Sequence, residues 1–148
     1  HLRVVRLQDT GQTYNPQVLL LMEGTNDLLS PSGVDSALTA LDTMILTAQA
    51  QGRRVCLATI PPQRPDGLRN RGSVAARIPG FNDRLRTLAA TRGAVLVDVY
   101  DAMKDDVRNL IGIDDLHPTE RGYTVIGDTF YSAVRAAFER RGAAQTSP

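Results

Sequence analysis

Val18-Leu19-Leu20-Leu21-Met22, followed at once by Glu23-Gly24-Thr25-Asn26-Asp27, is the stretch on which the fold turns. Five apolar residues with no polar one among them suit a parallel strand covered on both faces, not a strand with one wet face. Two further short apolar runs read as strands. Arg54 to Ile60 (RVCLATI) is stopped by Pro61-Pro62, and Ala94 to Val99 (AVLVDV) follows the turn signal Arg92-Gly93. Helical patterns separate them. Ser32 or Asp35 can cap a helix to about Gln51, with Ala37, Leu38, Leu41, Met44, Ile45 and Ala48 on one face and Gly52 closing it. Pro79 to Thr91 and Pro118 to Arg141 supply two more, the latter with Tyr123, Ile126, Phe130, Val134 and Phe138 at spacings of three and four. Strand and helix therefore alternate, which predicts a parallel sheet with right-handed crossovers and helices on both faces. The functional residues of such a sheet belong just beyond the carboxyl ends of its strands.

The rest of the chain narrows the function. At 148 residues it is one domain's worth of sequence. Seventeen basic against sixteen acidic residues leave a formal charge of +1, too little to hold a nucleic acid or an anionic membrane surface by long-range charge. Arg64, Arg69, Arg71 and Arg77 cluster, but Pro, Gly and Asn interrupt them and no helix presents them as a stripe. No segment reaches the roughly 18 to 20 apolar residues of a membrane span. The composition suits a soluble protein, and the single cysteine, Cys56, excludes an intrachain disulfide and leaves the compartment open. Cys56 sits in an apolar run and reads as a buried, inert thiol. With one cysteine and one usable histidine, the chain cannot build a nitrogen- and sulfur-rich zinc site, so neither a metal nor another cofactor is expected.

Two segments carry chemistry. Gly24-Thr25-Asn26-Asp27 begins where the first strand ends: Gly24 permits close backbone approach or a positive φ, and Asn26 offers a neutral amide donor of the kind that stabilises an oxyanion. Read alone, these are also ordinary turn residues. Asp114-Asp115-Leu116-His117-Pro118 precedes the last helix. His117 is the only histidine besides the terminal His1, its ordinary pKa suits general base work, and Asp114 can fold back onto its ring. Read alone, this too could be a helix-capping turn with a surface histidine.

Together the two segments resemble the third and fifth blocks, Gly-x-Asn-Asp and Asp-x-x-His-Pro, of the SGNH (GDSL-type) hydrolases. The resemblance spans roughly Asn15 to Phe138. It implies a three-layer, flavodoxin-like α/β fold with a parallel sheet of strand order 2-1-3-4-5. It also implies His117 and Asp114 as catalytic base and orienting partner, with Asn26 and Gly24 at the oxyanion hole. The implied activity is that of a serine ester hydrolase of the carboxylesterase or acetylesterase type, acting on small acyl esters with short acyl chains. Asp115 occupies a position often held by Gly in relatives.

The family's Gly-Asp-Ser block and its second, glycine-bearing block are not found. None of Ser30, Ser32, Ser36, Ser73, Ser132 and Ser147 stands in a strand-to-helix elbow, although Ser73, in the irregular stretch from Pro61 to about Ile78, is kept as an outside candidate. The expectation is thus a single domain over residues 1–148, incomplete at its N-terminus, with the first strands missing. Val18 to Met22 would then be a bare edge, open to a companion segment carrying the serine or to a second copy of the chain. The competing reading is a catalytically inactive binding or interaction module that keeps the fold. A nucleotide-binding flavodoxin-like domain is a weaker third, because the Gly24 loop is too short and too acidic to cradle phosphate.

Overall fold

The computed structural model describes residues 14–65 and 72–142. Three parallel strands, β1 (Val18–Leu21), β2 (Arg54–Ala58) and β3 (Val95–Val97), lie in the order β1-β2-β3, with Leu20 beside Cys56 and Leu57 beside Leu96. Among the described residues the sheet is joined by the helices α1 (Pro31–Ala50), α2 (Gly72–Arg92), α3 (Val99–Met103), α4 (Val107–Leu110) and α5 (Glu120–Gly142).

Strand β2 shows why the molecule has three layers. Successive side chains of a strand point to opposite faces. Val55 and Leu57 enter one core with Leu41 and Ile45 of α1 and Phe81 and Leu85 of α2. Cys56 and Ala58 enter a second core with Met103 of α3, Leu110 of α4 and Ile126 of α5. The reading of Arg54 to Ile60 as a strand holds over Arg54–Ala58. Cys56 is 1% exposed, and its burial pushes the thiol's pKa up, so the group is held neutral.

β1 is the edge of the described sheet and pairs there with β2 alone, so the apolar run is only partly covered and Leu20 stands half exposed. α1 starts two to five residues earlier than the sequence implied. Ser30, not Ser32 or Asp35, accepts the Gly33 N–H, with Pro31 in the first helical position. Gly52 does close it, at φ +74°.

Two expectations are corrected. The irregular stretch does not reach Ile78, because α2 begins at Gly72 and runs through Pro79. Val74 and Ile78 are buried in the core, and their packing outweighs the backbone hydrogen bond that a mid-helix proline forfeits. Ser73 therefore lies in a helix and not in a loop. The third strand is also shorter than read. It ends at Val97, and Asp98 instead caps α3 by accepting the Asp101 N–H. Readings that fall on residues 1–13, 66–71 and 143–148, including Arg69, Arg71 and Ser147, lie outside the described residues.

Candidate active site

The carboxyl ends of β1 and β2 and the loop before α5 meet at one cleft of about 200 Å³. Asn26, Gln63 and His117 line it, with Thr25, Pro61 and Tyr123. The structure thus brings together Asn26 and His117, which stand 91 residues apart in the chain (117 minus 26).

Asn26 sits in a short 3-10 turn, Thr25–Leu29, entered through Gly24 at φ +119°. Two facts make glycine necessary there. The backbone conformation is one that side chains rarely adopt, and a Cβ would fall 2.5 Å from Cζ of Phe81. Gly24 therefore acts by letting the turn lie against Phe81, while Asn26 itself is exposed to the cleft. The Asp27 N–H donates to the Gly24 carbonyl, and Arg77 of α2 donates to the Leu28 carbonyl at 2.8 Å. Arg77 is thus a structural arginine tying α2 to the turn that presents Asn26.

The His117 loop is closed on itself. Its ends pair through an antiparallel bridge between Ile111 and Pro118, with the Gly112 N–H donating to the His117 carbonyl at 2.7 Å. The Thr119 N–H donates to the Leu110 carbonyl, and the Thr119 hydroxyl accepts the Gly122 N–H at the start of α5. Gly122 is confined as well, since a Cβ there would lie 2.1 Å from the Leu110 oxygen. Inside this loop Asp114 folds back as expected. Its Oδ2 lies 2.5 Å from Nδ1 of His117, and its Oδ1 accepts the backbone N–H groups of Leu116 and His117 at 3.1 and 3.0 Å. Those contacts, the His117 ring first, hold the Asp114 carboxyl well below the usual carboxylate range. An ionised Asp114 at Nδ1 favours the tautomer with its proton there, which leaves Nε2 able to accept a proton. Asp115 is buried at φ +70°, which accounts for a position where glycine is the easier fit.

Two polar residues of this region carried no role in the sequence reading. Asn82 is fully buried and grips Ile60 from α2: its Oδ1 accepts the Ile60 N–H at 2.9 Å and its Nδ2 donates to the Ile60 carbonyl at 3.1 Å. It fixes the chain where β2 gives way to Pro61, Pro62 and Gln63. Its signal was present in the sequence, because a polar residue interrupts the inward stripe Ile78, Phe81, Leu85, Ala89. Asp98 is the second. It accepts from the Thr59 hydroxyl and takes a two-pronged contact from Arg86. Burial pushes its pKa up, but hydrogen bonds from Arg86, the Asp101 N–H and Thr59 outweigh this and hold it low.

Comparison with known proteins gives a consistent picture. The family model for the GDSL-like Lipase/Acylhydrolase family matches residues 2–125. Among curated proteins no sequence matches. Among solved structures, a GDSL-like lipase from Bacteroides thetaiotaomicron superposes with a TM-score of 0.77 at 21% identity, covering 91% of this chain and 70% of that one. A lipase/acylhydrolase from Enterococcus faecalis gives 0.77 at 22% identity, with coverage of 90% and 69%. A catalytic mutant of an acetylxylan esterase from Geobacillus stearothermophilus gives 0.69 at 15% identity, with coverage of 88% and 67%. These similarities show the fold. Among the described residues, no helix is long and apolar enough to cross a membrane.

Proposed function

The chain belongs to the GDSL-like Lipase/Acylhydrolase family of esterase-type hydrolases, and on that premise we propose that its cleft is the base and oxyanion side of a serine esterase site. In this reading, Nε2 of His117 takes the proton of a serine hydroxyl as that oxygen attacks the acyl carbonyl. The carbonyl π electrons move onto oxygen, and the Asn26 amide donates to the oxyanion. The ester C–O bond then breaks, and the proton on Nε2 goes to the departing alcohol. Water, deprotonated by the same nitrogen, releases the acid and restores the serine. Asp114 holds the ring and stabilises the imidazolium in both halves.

The observation that carries this reading is the 2.5 Å contact between Asp114 and His117 on the same cleft as Asn26. The serine is not among the cleft-lining residues. By the family's strand order we assign it to a strand that adds beside β1, the edge of the described sheet.

A serine-reactive fluorophosphonate tests the assignment. A covalent adduct on a serine, abolished by His117→Gln in a folded protein, is the expected result. If intact protein with the β1 edge occupied forms no adduct, the site is a binding module that keeps the fold, and the esterase reading falls.

A further inference from the structure

Gln63 is 5% exposed, yet among the described residues both its amide nitrogen and its amide oxygen lack a hydrogen-bond partner. Buried polar groups are almost always paired, and a primary amide left unpaired at both ends carries the full loss of its hydration. Its backbone gives it little means to escape. Asn82 clamps Ile60 at both N–H and carbonyl, and two successive prolines with fixed φ lead directly into Gln63. On the far side Arg64 is tied to the Arg108 carbonyl at 2.8 Å. The segment is therefore held on both sides of Gln63, and Gln63, with its buried unpaired amide, is one of the residues lining the His117 cleft. Gln63 also lines a second cavity of about 330 Å³, bounded by Pro62, Ala75, Ala76, Tyr100 and Val107. Gln63 is thus the wall between the two. The last torsion of a glutamine side chain is broad, so the amide can turn toward a ligand without moving the backbone.

From this placement we propose that Gln63 is a specificity-determining residue of the esterase site, recognising a vicinal diol on the alcohol portion of the ester; the proposal rests on the esterase reading above. A group lacking both a donor and an acceptor is satisfied best by a ligand presenting both side by side. Adjacent hydroxyls do this in one plane, one accepting from Nε2 of Gln63 and the other donating to its Oε1. A simple alkyl alcohol offers neither and leaves the amide unpaired in the complex. Sites built to bond a hydroxyl discriminate against analogues lacking it far more strongly than apolar pockets discriminate by size. The expected substrate is therefore a short-chain ester of a polyol, not of a plain aliphatic alcohol.

The test compares glycerol monoacetate with propyl acetate, which share a carbon skeleton and differ in the two hydroxyls. Each is titrated into the full ¹⁵N-labelled chain while the side-chain amide signals and the acetate methyl signal are followed by NMR. The Gln63 amide is expected to shift with glycerol monoacetate and not with propyl acetate. Gln63→Met should weaken glycerol monoacetate binding by roughly tenfold or more and leave propyl acetate unchanged. A Gln63 amide unmoved by glycerol monoacetate overturns the proposal, and that titration needs no substituted protein. So does a Met variant whose affinity stays within about twofold. Acetate release separates the two readings. With the β1 edge occupied, diol binding at Gln63 without release from either ester sinks the esterase reading alone, whereas release from both esters with a silent Gln63 sinks this proposal alone.

Discussion

The Phe81 ring occupies the space that a side chain at Gly24 would need, with Cζ only 2.5 Å from the position of its Cβ. One residue of the turn that carries Asn26 is therefore held against the core packing of α2. Gly24→Ala meets both a clash and a φ of +119°, and should destabilise the protein by about 1–3 kcal/mol. Thermal melts of Gly24→Ala, alone and with Phe81→Leu, check the cause. If the collision with Phe81 matters, the second change recovers part of the loss, and strictly additive effects would show that only the dihedral angle counts.

Asn26 is exposed and lines the cleft, so replacing it should leave the fold alone while removing the proposed oxyanion donor. With the β1 edge occupied, Asn26→Ala is expected to lower kcat on a p-nitrophenyl acetate-type ester by about 10²- to 10³-fold, with little change in melting temperature. Unchanged turnover would remove Asn26 from the mechanism.

Asp114 makes a pH prediction with a definite sign. Its folded-state pKa is depressed below the ordinary 3.8, chiefly by the His117 ring and then by two backbone N–H groups. The stability it contributes is therefore complete above the unfolded value and is lost as pH falls through the folded one. Melting curves of the wild type and Asp114→Asn should differ at about pH 5 and converge toward about pH 2. A gap that stays constant across that window would mean the carboxylate's charge is not what the loop uses.

Asn82→Ala leaves both the N–H and the carbonyl of Ile60 unpaired, at a cost of about 1–3 kcal/mol for each buried group. Asn82→Asp retains only the acceptor and should also be destabilised at neutral pH, because a carboxylate cannot donate to the Ile60 carbonyl. Denaturant unfolding of the pair measures this. An aspartate variant as stable as the wild type would contradict the clamp.

The layered fold was legible because β1, β2 and β3 are apolar runs bounded by glycine, proline and turn residues, and α1 and α5 keep helical spacing. The contact of Asp114 with His117 and the place of Asn26 at a strand end were legible because each depends on residues close by in the chain. Pro79 misled because proline favours a helix's first turn, and only the burial of Val74 and Ile78 shows that α2 already exists before it. α3 and α4, with five and four residues, are too short to show a period. Asn82 and Asp98 work through partners 22 and 39 residues away, Ile60 and Thr59, which a local pattern does not reveal. Gln63 gave no sign beyond its place after a strand.

The loop from Leu110 to Thr119 is fastened end to end by its own backbone, and the aspartate and histidine both lie within it. The pair therefore behaves as the contents of a small ring whose anchor, Leu110, sits in the second core. Its distance from Asn26, by contrast, is set by how α5 seats on the second core. Damage at a distance should consequently move the pair as one rigid piece. Such variants would turn over more slowly while the Asp114–His117 contact survived, and that signature separates misplaced machinery from broken machinery.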